Sequence, residues 1–316
     1  MLDGEPEVWL IGGPTASGKS ALALRLAQAI GAAVVNADSM QVYRDLRIVS
    51  ARPSAEDEGR APHRLYGHVD GAEPYSVGRW QADVLGVLGE PGPKVIVGGT
   101  GLYHRALTHG LAEMPAVSEA SRAEAEARFV AEGEAAFRAT LAVADPEAEA
   151  RIERGDRQRL IRASTVFEAT GRALSGWRAD TRPVLSRYRA LVLEPEREEL
   201  YRRCDARFAA MVGAGALEEV AALVARELPA DRPVLKAVGV RELAAHLAGR
   251  VPLAAVIAAA QQETRRYAKR QLTWFRNQTP GWARLDATDE ESAWRQFLAL
   301  DPALTLHRAA GKAAGA

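Results

Sequence analysis

Val8-Trp9-Leu10-Ile11-Gly12-Gly13-Pro14-Thr15-Ala16-Ser17-Gly18-Lys19-Ser20 is the stretch that decides the fold of this 316-residue chain. A short apolar run enters a glycine loop, and Ala21 to Ile30, rich in Ala and Leu, continues as far as Gly31. That order reads strand, loop, helix and helix stop. Gly13 to Ser20 matches G-x-x-x-x-G-K-[ST], with the strand before it and the helix after it that the pattern needs. Backbone N–H groups of such a loop, with those of the first helical turn, converge on a phosphate. Lys19 adds positive charge to the phosphate oxygens, and Ser20 offers an oxygen to Mg²⁺. A di- or triphosphate site follows.

Further apolar runs extend this unit. Ala32 to Val35 leads into Asn36-Ala37-Asp38-Ser39, Val95 to Val97 leads into Gly98-Gly99-Thr100-Gly101, and Leu191 to Leu193 returns to strand character. Uninterrupted Val, Ile and Ala runs with glycine turns after them predict an α/β fold, a P-loop NTPase-like parallel sheet flanked by helices. Functional loops then sit at the carboxyl ends of the strands. Ser50 to Arg79 reads as loop with little regular structure. Ser118 to Leu141 and Pro146 to Arg172 carry helical spacing, with Gly171 and Gly176 as stops, and define a helical insertion domain over 115–188. The core is expected from 1–114 and 189–304, with helices over Arg197 to Arg226, Val238 to Leu247 and Leu253 to Arg276. The small, polar residues 305–316 read as a flexible tail.

Hydrophobic residues make up 47% and charged residues 26%, as in an ordinary globular protein, which excludes wholesale disorder. The chain carries 41 basic and 41 acidic residues, so net charge points to no partner. Its distribution is informative. Glu119 to Ala150 holds eight acidic and three basic residues, whereas Arg151 to Arg189 holds ten arginines and four acids. A second basic cluster is Arg265, Arg266, Lys269, Arg270 and Arg276. Such segregation suits an anionic polymer on one face, although a solvated helix surface accounts for any single run. Cys204 is the single cysteine, which excludes an intrachain disulfide and a multi-cysteine zinc site and fits a reducing, cytoplasmic compartment. Met1 to Glu7 lacks an apolar export core and no stretch has the length of a membrane helix, so neither export nor a membrane partner is expected.

The GTPase motif Asn-Lys-x-Asp is absent, and Leu191-Val192-Leu193-Glu194 is the nearest approach to an ATPase acid. A motor or switch protein is therefore disfavoured, while kinase and transferase readings remain. Asp38 follows the second strand, where a carboxylate can bind Mg²⁺ through water, accept a proton from a nucleophile or cap a helix. These three roles stay open on the residues alone. Tyr267 and Trp274 can stack on bases, but aromatic residues at helical spacing more often serve the core. His63 with His68, and His104 with His109, do not share a helical face and suggest no zinc site.

Several blocks together resemble the tRNA dimethylallyltransferases: Gly13 to Ser20, Asn36 to Tyr43, Ala61-Pro62-His63-Arg64-Leu65 and Val97 to Tyr103. Asp156 to Ala163, Val238 to Leu243 and Ala268 to Arg276 join them in the same order, across nearly the whole chain. Only the phosphate loop is shared widely with other proteins. The resemblance implies transfer of a dimethylallyl group from dimethylallyl diphosphate to N6 of the adenosine 3′ of the anticodon (position 37), releasing diphosphate. It implies Mg²⁺ as cofactor, held by Ser20, and the tRNA anticodon stem-loop as partner; a monomer is expected.

By the same match Asp38 is the general base and Thr100 lies beside it in the reaction channel. Gly13, Pro14, Thr15, Ala16, Ser17, Gly18, Lys19 and Ser20 hold the leaving diphosphate, with Arg241 adding charge. The resemblance assigns tRNA contacts to Asp38, Ser39, Met40, Gln41, Thr100 and Arg122, and to Gln158, Arg159, Leu160, Ile161 and Arg162. It assigns them also to Lys236, Ala237, Val238, Gly239, Val240 and Arg241, and to Lys269, Arg270, Gln271, Leu272, Thr273, Trp274, Phe275 and Arg276. The chain departs from the family at Val49-Ser50-Ala51-Arg52-Pro53, where Gly-Thr-Ala-Lys-Pro is common, at Val240, where an aromatic is common, and at Lys236, where arginine occurs in some members. A nucleoside or small-metabolite kinase also uses Lys19, Ser20 and Asp38, but leaves the basic insertion and the C-terminal block without a role. Prenylation of free adenine nucleotides does not need the arginine-rich insertion. A non-catalytic RNA-binding protein does not need Lys19, Ser20, Asp38 and Thr100 intact.

Overall fold

The structure, a computed structural model, describes residues 7–112, 117–178, 181–286 and 289–300; the 305–316 tail and the 114/115 boundary lie outside them. Strand β1 (Val8–Gly12) is buried throughout and runs through the glycine loop into α1 (Lys19–Ile30). Gly31 ends α1 at φ 67°, its N–H returning to Ala27 O, a conformation that glycine adopts without strain. Then come β2 (Ala33–Asn36), α2 (Ala55–Arg60), β3 (His63–Arg64), α3 (Val77–Leu88), β4 (Lys94–Gly98) and α4 (Gly101–Thr108). Helices α5 (Glu119–Ala144), α6 (Pro146–Arg151), α7 (Arg157–Thr170) and α8 (Leu174–Arg178) follow. The chain returns through β5 (Arg189–Leu193), α9 (Arg197–Gly213), α10 (Ala216–Val224), a 3₁₀ turn at Pro233–Lys236, α11 (Val240–Leu247), α12 (Leu253–Gln278), β6 (Ala283–Leu285) and α13 (Glu290–Leu300).

The six strands form one sheet in the order β3-β2-β4-β1-β5-β6, every neighbouring pair parallel. After β1 the chain crosses towards β2; after β4, the neighbour of β1, it crosses the other way to β5. Connections leaving adjacent strands in opposite directions open a crevice at their carboxyl ends. That crevice lies between the loop after Gly12 and the loop after Gly98, where the two glycine motifs stand.

The structure divides into two compact units, residues 1–105 with 185–316, and residues 106–184. In the first, Trp9, Leu22, Leu26, Trp294 and Phe297 form one buried cluster between the sheet, α1 and α13. Val42, Tyr43, Leu46, Phe208, Val220, Leu243 and Val256 form another under α9 to α12. Each such side chain contributes ~1.5–3 kcal/mol on burial, so these clusters hold the helices in place. The second unit is helical, around Phe137, Leu141, Leu160, Ile161, Val166 and Leu174.

Several elements differ from the sequence reading. Ser50 to Arg79 contains α2, β3 and the start of α3; Ser54 and Asp57 cap α2 reciprocally. Helix α2 buries no residue, so it offers no apolar period to read. The span Arg197 to Arg226 is two helices divided at Gly215, and Pro146 to Arg172 is two helices divided near Gly155. Gly176 lies inside α8 rather than ending a helix, whereas Gly171 does end α7 at φ 67°. Strand β6 and helix α13 have no counterpart in the sequence reading.

Candidate active site

The phosphate loop leaves β1 between close-packed neighbours. A Cβ at Gly12 would lie 2.4 Å from the Phe275 ring, and one at Gly13 would lie 2.9 Å from Leu193 O. Within the loop Lys19 Nζ donates to Pro14 O at 3.1 Å. Ser17 is fully buried and its Oγ has no hydrogen-bond partner among the described residues, so the loop retains a donor for an anion. Burial pulls the Lys19 ammonium down to about 8, an effect opposed by Asp38 and reinforced by the Arg207 charge. The lysine therefore sits close to its titration point until an anion arrives.

Across the crevice, Asn36 at the end of β2 is fully buried and organises the turn that carries Asp38. Its Oδ1 accepts Asp38 N at 2.8 Å, and its Nδ2 donates to Asp38 O at 2.9 Å and Leu65 O at 3.0 Å. Asp38 Oδ1 accepts Met40 N at 3.0 Å, an Asx turn rather than a helix cap, because turns and not a helix follow it. Thr100 Oγ1 accepts Ser39 N at 3.0 Å and its hydroxyl donates to Ser39 Oγ at 3.3 Å. The two loops meet closely, since a Cβ at Gly98 would lie 2.0 Å from Ala37 O. Asp38 and Thr100 are thereby fixed as neighbours.

A cavity of about 270 Å³ joins the two sides. Thr15 of the phosphate loop, Asp38, Ser39 and Met40 line it, with Lys236, Ala237, Val238, Tyr267 and Arg270 opposite. Arg207, from α9, is the cation that the sequence reading missed. It lines this cavity, its guanidinium donates to Thr15 Oγ1, and burial lowers its pKa. Nothing in the α9 sequence marks Arg207, since no motif surrounds it. Arg241, the residue expected to serve the diphosphate, is instead 89% exposed on α11, lies 3.7 Å from Glu242 and does not line the cavity. The first turn of α11 follows Gly239, where φ is 98°, and Val240 anchors it inward, so Arg241 points to solvent.

The C-terminal block is split by burial. In α12, Ala268, Gln271, Leu272 and Phe275 are buried. Gln271, Phe275 and Trp274 stand against Gly99, Gly12 and Gly101, where a Cβ would lie 2.1, 2.4 and 2.2 Å away respectively. Gln271, Leu272 and Phe275 are thus packed inward, and Ala237, Val240, Leu160 and Ile161 are likewise buried, although Ala237 lines the cavity and Leu272 the groove described next. Gln41 is also committed, its amide donating to Ser50 O and Ala51 O at 3.0 Å each. Lys269, Thr273 and Arg276 line a separate groove with Glu194 and Arg284, in which Arg276 pairs with Glu194 at 2.5 Å. Within the second unit, Arg122, Gln158, Arg159 and Arg162 are exposed; Arg122 pairs with Glu126 at 3.2 Å and Arg159 with Asp156 at 3.3 Å.

The departure at Val49 to Pro53 has its own support. Glu219 of α10 accepts Ile48 N and Val49 N at 2.8 Å each, pinning the loop whose Val49 and Ser50 line the cavity. Lys236 keeps a positive charge there.

The IPP transferase family model matches residues 41–278, well over half of the chain, and an isopentenyl transferase model matches residues 6–69. This chain belongs to the IPP transferase family. A tRNA dimethylallyltransferase of Phenylobacterium zucineum is 59% identical over 305 residues, covering 95% of this chain and 99% of that protein. One from a Caulobacter species is 54% identical over 288 residues, covering 89% and 93%. Among solved structures, the tRNA isopentenylpyrophosphate transferase of Bacillus halodurans has 30% identity and a TM-score of 0.67, covering 98% of this chain and 100% of that one. A eukaryotic dimethylallyltransferase described as acting on tRNA has 25% identity and a TM-score of 0.79, covering 93% and 78%. The IPP transferase fold thus extends over both units. No described helix of this family member is long and apolar enough to cross a membrane.

Proposed function

We propose that the protein transfers a dimethylallyl group from dimethylallyl diphosphate to N6 of the adenosine 3′ of the anticodon in tRNA, releasing diphosphate, and does so in the cytoplasm. The observation that carries this reading is the single cavity lined at once by Thr15 of the phosphate loop, by Arg207 and by Asp38. An exocyclic aromatic amine is a weak nucleophile. Its nitrogen attacks the allylic carbon as the carbon–oxygen bond to diphosphate breaks, and the N6 proton passes to the Asp38 carboxylate. Negative charge gathers on the leaving oxygens, which Lys19, Arg207 and N–H groups of the loop stabilise. Thr100 holds Ser39 and the start of the Asp38 turn, keeping the base beside the donor.

Mg²⁺ fits the oxygen donors present. The Ser20 hydroxyl at the exposed start of α1, with donor phosphate oxygens and water, would form the kind of ligand set that this ion accepts. The described residues contain no cluster of three or more His, Cys, Asp or Glu side chains that could hold a metal. When bound, it neutralises charge developing on the diphosphate.

The adenosine must leave its stack to reach such a cavity, which costs a few kcal/mol by the general behaviour of flipped bases. Exposed Lys269, Arg270 and Arg276, and Arg122, Arg159 and Arg162 in the helical unit, supply cations for the tRNA backbone. Incubation with unmodified tRNA, Mg²⁺ and dimethylallyl diphosphate tests the reading. Diphosphate release that requires tRNA supports it; phosphate transfer from ATP to a small acceptor, without such release, overturns it in favour of a kinase.

A further inference from the structure

Gln271 sits in the C-terminal third of α12 and is 5% exposed. Its Oε1 accepts Thr15 N at 2.8 Å, and its Nε2 donates to Gly99 O at 2.9 Å. One amide thus bridges the loops that leave β1 and β4 at the reversal of strand order. The two loops carry different halves of the chemistry. Thr15 belongs to the loop for the leaving group, and Gly99 precedes Thr100, which holds the turn bearing Asp38. The fit is close, because a Cβ at Gly99 would lie 2.1 Å from Gln271 Nε2. Tyr267, one turn earlier on α12, lines the cavity that also holds Asp38.

No other side chain of similar size reproduces this bridge at neutral pH. A carboxylate can accept from Thr15 N but has no proton for Gly99 O, and a thioether serves neither partner well. Each loss leaves a buried backbone group without its partner. We propose that Gln271 is a positioning residue that locks the phosphate loop to the Gly99–Thr100 loop, fixing the departing diphosphate relative to the acceptor-side carboxylate. It does not touch the reacting atoms and acts through Thr15 and Thr100. The inference rests on the prenyl-transfer reading.

The test compares Gln271→Met and Gln271→Glu with the wild type by kcat and KM between pH 6 and 8.5, with Tm recorded for each. Misplacing a reacting group by a fraction of an ångström to an ångström lowers rates by roughly 10- to 100-fold, and Gln271→Met is expected in that range at every pH, with KM for tRNA little changed. Gln271→Glu is expected to match it at pH 8.5 and to recover towards pH 6, where a carboxyl raised by burial is protonated and donates to Gly99 O. The titratable groups coupled to one another around the site are Tyr267 and Arg270 on α12, Lys19 on α1, Asp38 after β2, His104 on α4, and Cys204 and Arg207 on α9. All of them remain in both variants, and Gln271→Met, which adds no titratable group, is the reference against which the new carboxyl is read.

A purely structural role would lower Tm without making the ratio of Gln271→Glu to Gln271→Met depend on pH. A flat Gln271→Glu ratio, or kcat within about twofold of wild type in both variants, overturns the lock. If wild type forms no prenylated adenosine, the prenyl-transfer reading fails. Affinity for inorganic diphosphate then decides the lock alone: weakening in Gln271→Met supports it, and unchanged affinity overturns it.

Discussion

Lys19 should make diphosphate binding weaken as pH rises. In the free protein burial lowers its pKa to about 8, with Arg207 adding to the effect and Asp38 opposing it. Its folded-state pKa is depressed, so the free site loses its charge as pH rises through about 8. A bound diphosphate favours the ammonium and restores the proton, hence binding near and above this pH takes up a proton. If the bound lysine stays charged to pH 9, the apparent dissociation constant scales as one plus ten raised to the power of pH minus pKa. That gives a factor of ~1.1 at pH 7 and ~11 at pH 9, about a tenfold weakening, or ~1.4 kcal/mol. Titration calorimetry with inorganic diphosphate, repeated in buffers of different ionisation enthalpy, measures both quantities. Lys19→Met is the control, because the ligand's own ionisation is common to both proteins. The variant should bind more weakly at pH 7 and lack the lysine-linked proton uptake. Equal pH dependence in wild type and Lys19→Met would refute the assignment.

Other outcomes follow from the same geometry. Asp38→Ala should abolish turnover while leaving diphosphate affinity within a few-fold, as read by single-turnover kinetics and calorimetry. Arg207→Gln should weaken diphosphate binding about tenfold or more, the scale of a lost charge-assisted contact, whereas Arg241→Gln should not change it. Gly98→Ala would press a methyl group against Ala37 O and should cost ~1–3 kcal/mol in denaturant unfolding, with activity falling as the Asp38 turn shifts. Burial pushes the His104 imidazole down to about 4, so its stabilising contribution is present above the ordinary histidine range and is lost as pH falls towards 4. Unfolding midpoints between pH 7 and 4 should accordingly fall more for wild type than for His104→Gln.

The parts legible in the sequence were those whose physics is local. The strand, glycine loop and helix from Val8 to Gly31 follow from apolar runs and glycine positions, and β2, β4 and β5 follow from equally plain runs. Helix α2 has no buried face and β3 spans two residues, so neither leaves a period to read. Arg207 escaped because its role depends on α9 crossing over the phosphate loop, a relation made by tertiary packing alone. Arg241 shows the converse: it lies in a matched block, yet the αL residue Gly239 and buried Val240 leave it turned to solvent, a placement that no local pattern reveals. In the C-terminal block, residue identity reflects packing as much as contact. Gln271, Trp274 and Phe275 are shaped against three glycines of the two functional loops.

The most direct measurement is mass analysis of nucleosides from unmodified tRNA treated with the protein, Mg²⁺ and dimethylallyl diphosphate, followed by mapping of the product within the anticodon loop. The account predicts one N6-dimethylallyl adenosine per acceptor tRNA, located immediately 3′ of the anticodon and absent with Asp38→Ala. Unmodified adenosine throughout, or product formed equally well on free adenine nucleotides, would contradict it.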